Sequence, residues 1–291
     1  MITSNEFKDY VLLDAGDKEK LESWNGIILR RPDPMAIWSC RKPELWNKYD
    51  AKYIRSSKGG GHWEFNKKLD DYWTLGFKEC TFKVSPTNFK HTGLFPEQAA
   101  NWEFVYNLIK NDPRDDIKVL NLFGYTGAAS MVASAAGAKE VVHVDASKGI
   151  VEWAKENMHL SNLDGHTIRF IVEDCLKFMK REVRRGHKYH VIIMDPPSYG
   201  RGPNGELFKF EDKINELLIE AVKLLDDDPL CLIVNSYTTG YSQVVLENVM
   251  NDRLEPFKDK GIIKSEEIGI KIKDDDYILP CGLTTRFYRH D

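Results

Sequence analysis

The feature that most restricts the fold is a regular alternation beginning at residue 96. Pro96 to Asn111 has helical periodicity with a proline in its first turn. Short apolar, β-branched runs then alternate with amphipathic ones. Strand Ile117–Leu122 precedes helix Ala128–Ala136, strand Glu140–Asp145 precedes helix Lys148–Leu160, and strand Thr167–Val172 precedes helix Cys175–Arg185. Strand His190–Asp195 with helix Asp212–Leu225, and strand Leu230–Asn235 with helix Ser242–Asn251, complete five strand–helix units. Strands separated by helices require a mostly parallel sheet covered on both faces, an α/β fold. Two late strands, Ile262–Ile272 and Leu283–Arg289, are joined by the turn Asp274-Asp275-Asp276.

The first 90 residues read differently. Tyr10-Val11-Leu12-Leu13, Gly26-Ile27-Ile28-Leu29, Met35-Ala36-Ile37-Trp38 and Thr81-Phe82-Lys83-Val84 are strand-like runs broken by turn signals. Lys58-Gly59-Gly60-Gly61 has the composition of a hairpin tip. The reading is a small β-rich lobe over 1–90 and a larger domain over 91–291. Six of the seven tryptophans (Trp24, Trp38, Trp46, Trp63, Trp73 and Trp102) lie in or next to this lobe. Filling a small core is the favoured use for them, ahead of a surface that stacks on bases.

The five cysteines (Cys40, Cys80, Cys175, Cys231, Cys281) are odd in number and contain no CxxC pair. That disfavours a disulfide framework or a zinc site and suggests reduced thiols in a cytoplasm. Met1-Ile2-Thr3-Ser4-Asn5-Glu6 does not resemble a signal peptide. No apolar run approaches the roughly 20 residues of a membrane span. A net charge of −4 does not advertise nucleic-acid binding, although a local basic stripe could serve. The best stripe, Lys177, Lys180, Arg181, Arg184, Arg185, His187 and Lys188, reads first as the solvated face and last turn of a helix.

Chemistry concentrates at the strand ends. The run Tyr189-His190-Val191-Ile192-Ile193-Met194 delivers Asp195, and Pro196-Pro197 then stop both sheet and helix. Prolines leave carbonyls without N–H groups, so the strand ends in hydrogen-bond acceptors, with Ser198-Tyr199 beside them. In open α/β sheets, ligands bind outside the carboxyl ends of the strands. The first strand runs into Asn121-Leu122-Phe123-Gly124-Tyr125-Thr126-Gly127-Ala128-Ala129-Ser130, whose glycines are expected to let the backbone approach a ligand. The string is not GxGxxG, which favours a ligand without a pyrophosphate. About 20 residues on, Asp145 is placed to accept both hydroxyls of a ribose. Asp174 ends the third strand, where capping the next helix and binding an adenine amine are compatible roles.

These four strand ends resemble class I S-adenosylmethionine-dependent methyltransferases, and most closely the bacterial large-subunit rRNA methyltransferases that make 5-methylcytosine or 7-methylguanine. Lys90-His91-Thr92-Gly93-Leu94-Phe95-Pro96-Glu97-Gln98 also carries the resemblance, which spans roughly 80–291 and lacks the family's usual PUA domain. It implies a Rossmann-like seven-stranded sheet whose last strand is antiparallel. It implies S-adenosylmethionine as cofactor, contacted by Phe123, Gly124, Tyr125, Thr126, Asp145, Ala146, Ser147, Asp174, Cys175 and Asp195. Thr92, Gly93, Phe95 and Gln98 would close over its methionine part. RNA, in particular rRNA, is the implied substrate partner.

Methyl transfer from a sulfonium requires an aligned, electron-rich acceptor. Asp195 and the Pro196 carbonyl are suited to accept N–H groups of a base, with Pro197 as rigid wall and Tyr199 as stacking ring. Gly200-Arg201-Gly202-Pro203-Asn204-Gly205 is expected to form a mobile loop over the acceptor. Methylation of cytosine carbon 5 needs a thiolate, and Ser198 and Val234-Asn235-Ser236-Tyr237 offer none, so direct transfer to nitrogen is favoured. Alternatives are a small-molecule or protein acceptor, or cytosine-5 chemistry through an unrecognised thiol. A nicotinamide oxidoreductase and a non-catalytic binding protein are less favoured, given Gly124-Tyr125-Thr126-Gly127 and the intact Asp195-Pro196-Pro197.

Overall fold

The computed structural model describes residues 1–56, 60–201, 207–238 and 240–289. Lys58 and Gly59 of the expected hairpin tip, and 202–205 of the loop expected over the acceptor, lie outside the described residues. The chain forms two compact units: Ile2–Glu103 with Ile268–Cys281, and Met1, Phe104–Glu267 with Gly282–Asp291. The division therefore falls at different residues from 90/91. In the first unit Trp102 packs on Phe7, Phe77 and Phe82, and Ile268 and Ile272 bridge to Ile2 and Leu12.

In that unit β1 (Tyr10–Gly16), β2 (Glu19–Trp24), β3 (Ile27–Pro32), β4 (Ala51–Arg55) and β5 (Gly61–Phe65) form one sheet in chain order. Only β3 and β4 pair in parallel. β6 (Trp73–Phe77) and β7 (Cys80–Val84) make a separate hairpin. Met35–Trp38 is not a strand. Prolines at 32 and 34 break the extended run, and Trp38 instead donates its indole N–H to the Ala15 carbonyl at 2.7 Å. β2, β4 and β5 are not legible as strands because charged and polar residues interrupt their apolar pattern, whereas β6 alternates cleanly through Trp73, Leu75 and Phe77 but is only five residues long. None of the six tryptophans is exposed, and Trp24, Trp46 and Trp102 are buried, as core filling requires.

Glu22 is the polar residue β2 turns inward. Its carboxylate accepts from Arg31 Nε at 2.6 Å and from the Tyr10 hydroxyl at 2.7 Å, while Arg31 also donates to the Lys90 carbonyl. Burial favours the neutral acid, but Arg31, Lys20 and these hydrogen bonds outweigh it and hold the Glu22 pKa below its ordinary value. Removing one partner of such a pair strands the other charge. Glu22→Gln should cost about 3–5 kcal/mol in urea unfolding at neutral pH. Because the folded pKa is depressed, this stabilisation is complete above the unfolded value of about 4.3 and declines as pH falls below it. Wild type should therefore lose more stability than Glu22→Gln between neutral pH and about pH 3, which unfolding midpoints will read.

The second unit is built on a seven-stranded sheet. α1 (Ala99–Asn111) follows a 3₁₀ turn at Pro96–Gln98, and the division between units falls within it. The sheet strands are β8 (Lys118–Leu122), β9 (Glu140–Asp145), β10 (Ile168–Val172), β11 (Val191–Met194), β14 (Cys231–Ser236), β15 (Ile262–Lys271) and β16 (Ile278–Tyr288). Helices α2 (Ala128–Ala135), α3 (Lys148–Leu160), α4 (Cys175–Arg184), α5 (Phe210–Leu224) and α6 (Gln243–Arg253) alternate with them, and β12 (Tyr199–Arg201) pairs with β13 (Leu207–Lys209) after β11. The strand order is β10-β9-β8-β11-β14-β16-β15, with β16 antiparallel to β14. β11 runs parallel between β8 and β14, with Met194 level with Leu122 and Val234, so the three carboxyl ends open on the same edge. Among the described residues no helix is long and apolar enough to cross a membrane. Much of the basic stripe is engaged in pairs, Arg181 with Glu173, Lys180 with Glu216, and Arg185 and His187 with buried Glu182.

Candidate cofactor and acceptor site

Between β8 and α2 the chain turns through two non-glycine residues with positive φ, Phe123 at 56° and Tyr125 at 49°, and through Gly127 at 87°. Such conformations persist only where their surroundings enforce them. Here the amides do so. Phe123 N–H donates to Cys175 Sγ at 3.2 Å, Gly124 to the Val144 carbonyl at 3.0 Å, Tyr125 to Asp145 Oδ2 at 3.0 Å, and Gly127 to the Gly124 carbonyl at 2.9 Å. A loop whose amides point into the protein cannot cradle a phosphate, as GxGxxG loops do. It offers shape and side chains instead, which fits a nucleoside cofactor without phosphates.

The glycines also serve the packing beneath the loop. A Cβ on Gly124 would lie 2.5 Å from the His143 ring, and one on Gly127 would lie 3.0 Å from Ala154 Cβ. Their missing side chains make room for residues underneath the loop.

Asp145 is half-buried at the end of β9, with Oδ2 on the Tyr125 amide and Oδ1 on the Ser147 amide at 2.9 Å. Each carboxylate oxygen has a second lone pair, so capacity for two hydroxyl donors remains. Burial raises its pKa, and the Ser147 and Tyr125 amides oppose the rise. Ala146 and Ser147 are exposed at the same turn. Asp174 caps α4 by accepting the Lys177 amide at 2.9 Å through Oδ1. The capping role is thus realised, and Oδ2 is not used in it. Cys175, next in sequence, is buried, and burial pushes its thiol pKa well above the ordinary value.

On the acceptor side, Asp195 N–H donates to the Leu122 carbonyl at 3.3 Å, tying the end of β11 to the start of the cofactor loop. Asp195 is half-buried, Pro196 buried, Pro197 exposed and Tyr199 59% exposed. The β12–β13 ladder places Tyr199 opposite Lys209 and Gly200 opposite Phe208. Side chains alternate along a strand, so Phe208 faces away from the Tyr199 side. Its ring meets that of Phe123 edge-on at 5.8 Å. Phe208 was missed in the sequence because it precedes what reads as a helix, and only the hairpin returns it to the loop.

Thr92, Gly93, Phe95 and Gln98 lie in the other unit. There Thr92 is buried, Gly93 has φ of 107°, the Phe95 ring packs 5.1 Å from His91, and Gln98 Oε1 accepts from Asn101 at 2.8 Å. Their assignment to the methionine part of the cofactor rests on the sequence resemblance.

This strand order, with a tight loop after its first strand and an acid after its second, defines a class I, S-adenosylmethionine-dependent methyltransferase fold. A family model for S-adenosylmethionine-dependent methyltransferases matches residues 57–249, and the chain belongs to that family. The crystal structure of a SAM-dependent methyltransferase from Agrobacterium tumefaciens superposes with a TM-score of 0.93 at 36% identity, covering 99% of this chain and 92% of that one. The ribosomal RNA large subunit methyltransferase K/L of Colwellia psychrerythraea is 30% identical over 181 residues, 62% of this chain and 24% of that protein. Its namesake in Shewanella amazonensis is 37% identical over 147 residues, 50% of this chain and 20% of that protein. The match thus spans about a quarter or less of the length of these curated relatives.

The packing under the loop has a direct consequence. Gly124→Ala should lower unfolding stability by about 1–3 kcal/mol, because the added Cβ would lie 2.5 Å from the buried His143 ring. In a His143→Ala background the same substitution should cost much less, and a double-mutant cycle in urea will show the coupling.

Proposed function

We propose that this methyltransferase modifies a base of ribosomal RNA by direct transfer to nitrogen. The observation that carries the reading is the end of β11, where Asp195 and two prolines present acceptors at the sheet edge next to the cofactor loop. The rRNA-acting relatives, matched over only part of their length, support the substrate class.

Residues Phe123, Gly124, Tyr125, Thr126, Asp145, Ala146, Ser147, Asp174, Cys175 and Asp195 would hold the cofactor. Asp145 would take the ribose hydroxyls and Asp174 the adenine amine. When bound, S-adenosylmethionine supplies an electrophilic methyl group on its sulfonium. Asp195 and the Pro196 carbonyl would accept N–H groups of the target base, fixing it in plane and keeping electron density on the acceptor nitrogen. Pro197 would limit its movement, and the exposed Tyr199 ring would stack on it.

The cysteines support transfer without a covalent intermediate. Cys231 lies inside β14 with its pKa pushed up to about 12 by burial, and burial raises Cys281 and Cys175 well above the ordinary range. Cytosine-5 chemistry needs a thiolate at the base, and these thiols are held protonated. Five free thiols also suit a reducing compartment such as the cytoplasm.

Labelled methyl incorporation into purified rRNA tests the proposal. Asp195→Ala should abolish incorporation with a smaller loss of cofactor affinity than Asp145→Ala, which should weaken cofactor binding about tenfold or more in calorimetry. A net charge of −4 favours the second reading, a small-molecule or protein acceptor. Label entering a metabolite or peptide pool, and never rRNA, would establish it instead.

Cys175→Ser, Cys231→Ala and Cys281→Ala should each keep the transfer rate within about threefold. No protein–RNA adduct should survive denaturing electrophoresis. A trapped adduct lost in one of these variants would establish the covalent route.

A further inference from the structure

Beneath the cofactor loop lies a set of buried polar side chains that the methyl-transfer reading does not use. Asn121 on β8, Ser130 on α2, His143 on β9 and Asn157 on α3 are all at most 2% exposed. Asn121 Nδ2 donates to Ser130 Oγ at 2.8 Å, and Ser130 Oγ and His143 Nδ1 are hydrogen-bonded at 3.0 Å. His143 Cε1 and Nδ1 lie 2.5 Å from where a Gly124 Cβ would be, so the ring is the floor of the loop. Asn157 Nδ2 donates to the Thr126 carbonyl at 2.8 Å. Four elements thus send polar groups to one short loop, at positions where apolar residues would fill the volume more cheaply.

The cost of this arrangement needs a counterpart. Phe123 and Tyr125 hold positive φ, and the Tyr125 amide sits on the same carboxylate assigned to the ribose. If the loop relaxed toward ordinary φ values, the Tyr125 amide would leave Asp145 and the carboxylate would lose one of the two donors that orient it. A rigid ring hydrogen-bonded from the side fixes the height of Gly124, and Asn157 fixes Thr126 two residues on. Burial also drives the His143 pKa down to about 4, so the ring is neutral at physiological pH and adds no charge under the cofactor.

We propose that His143, held by the Asn121–Ser130 pair, is a positioning residue for S-adenosylmethionine binding: it keeps the 123–127 loop in the form that orients Asp145. The inference rests on the family's cofactor and goes beyond it in assigning a role to buried residues beneath the loop.

Two substitutions test it. His143→Leu removes the ring nitrogens at similar volume, and Ser130→Ala leaves the ring but removes its hydrogen-bonded partner. Calorimetry should show the S-adenosylmethionine Kd rising about tenfold in His143→Leu and by a smaller factor in Ser130→Ala. His143→Asn, which keeps a polar atom near the Nδ1 position, should restore affinity to within about threefold of wild type. The rate at saturating cofactor should stay within about threefold throughout, because the acceptor side is untouched. A merely structural residue would lower the unfolding midpoint without this split between Kd and maximal rate. Wild-type affinity in folded His143→Leu overturns the proposal, and if that variant fails to fold, wild-type affinity in Ser130→Ala does so. Failure of the wild-type protein to bind S-adenosylmethionine would overturn the cofactor assignment instead, so the two failures are distinguishable.

Discussion

Asp145 accepts the Tyr125 amide through one oxygen and the Ser147 amide through the other, and the geometry at the carboxyl edge of the sheet depends on that pair of contacts. The first fixes the loop after β8 to the end of β9. The second fixes the start of the turn into α3. A carboxylate held by two backbone donors cannot rotate, so its remaining lone pairs have defined directions. The same contact explains how Tyr125 sustains a positive φ without being glycine, since the strain is offset by a charge-assisted hydrogen bond.

The site is layered around this contact. Below the loop lies the polar floor of Asn121, Ser130, His143 and Asn157. Beside it, Cys175 accepts the Phe123 amide, which gives a buried, protonated thiol a structural use. Asp195 is linked to the start of the loop through the Leu122 carbonyl, so the residue assigned to the acceptor and the loop assigned to the cofactor are joined by a backbone hydrogen bond. In-line transfer depends on alignment more than on strong acids or bases, and a short rigid connection between the two sides provides it.

The larger sheet was legible because its strands are nearly continuous apolar runs separated by helices with clear periodicity. α3 spans Lys148–Leu160 and β9 spans Glu140–Asp145, the residues expected for each. The smaller unit was legible in kind but not in detail. β2 carries charges at Glu19, Lys20 and Glu22, and Glu22 faces inward because Arg31 and Tyr10 meet it there, which no local pattern announces. Met35–Trp38 has strand-like composition, yet its flanking prolines and the Trp38 contact to Ala15 decide otherwise. In the candidate site the acids stood at strand ends and could be read directly. Phe208 and His143 could not, since one depends on a hairpin pairing and the other on a neighbour having no Cβ.

The sequence by itself determined the class of fold, the carboxyl edge on which ligands bind, and the acids placed there, because strand period and strand ends are local properties of the chain. Tertiary structure alone decided what packs against the glycines. Gly124 reads in the sequence as room for a ligand, and in the fold it also leaves room for His143, because the space beside a Cα is set by a residue 19 positions away and on another strand. Tertiary structure also decided that the loop's amides are committed inward, through contacts to Cys175, Val144 and Asp145 that no spacing in the chain specifies.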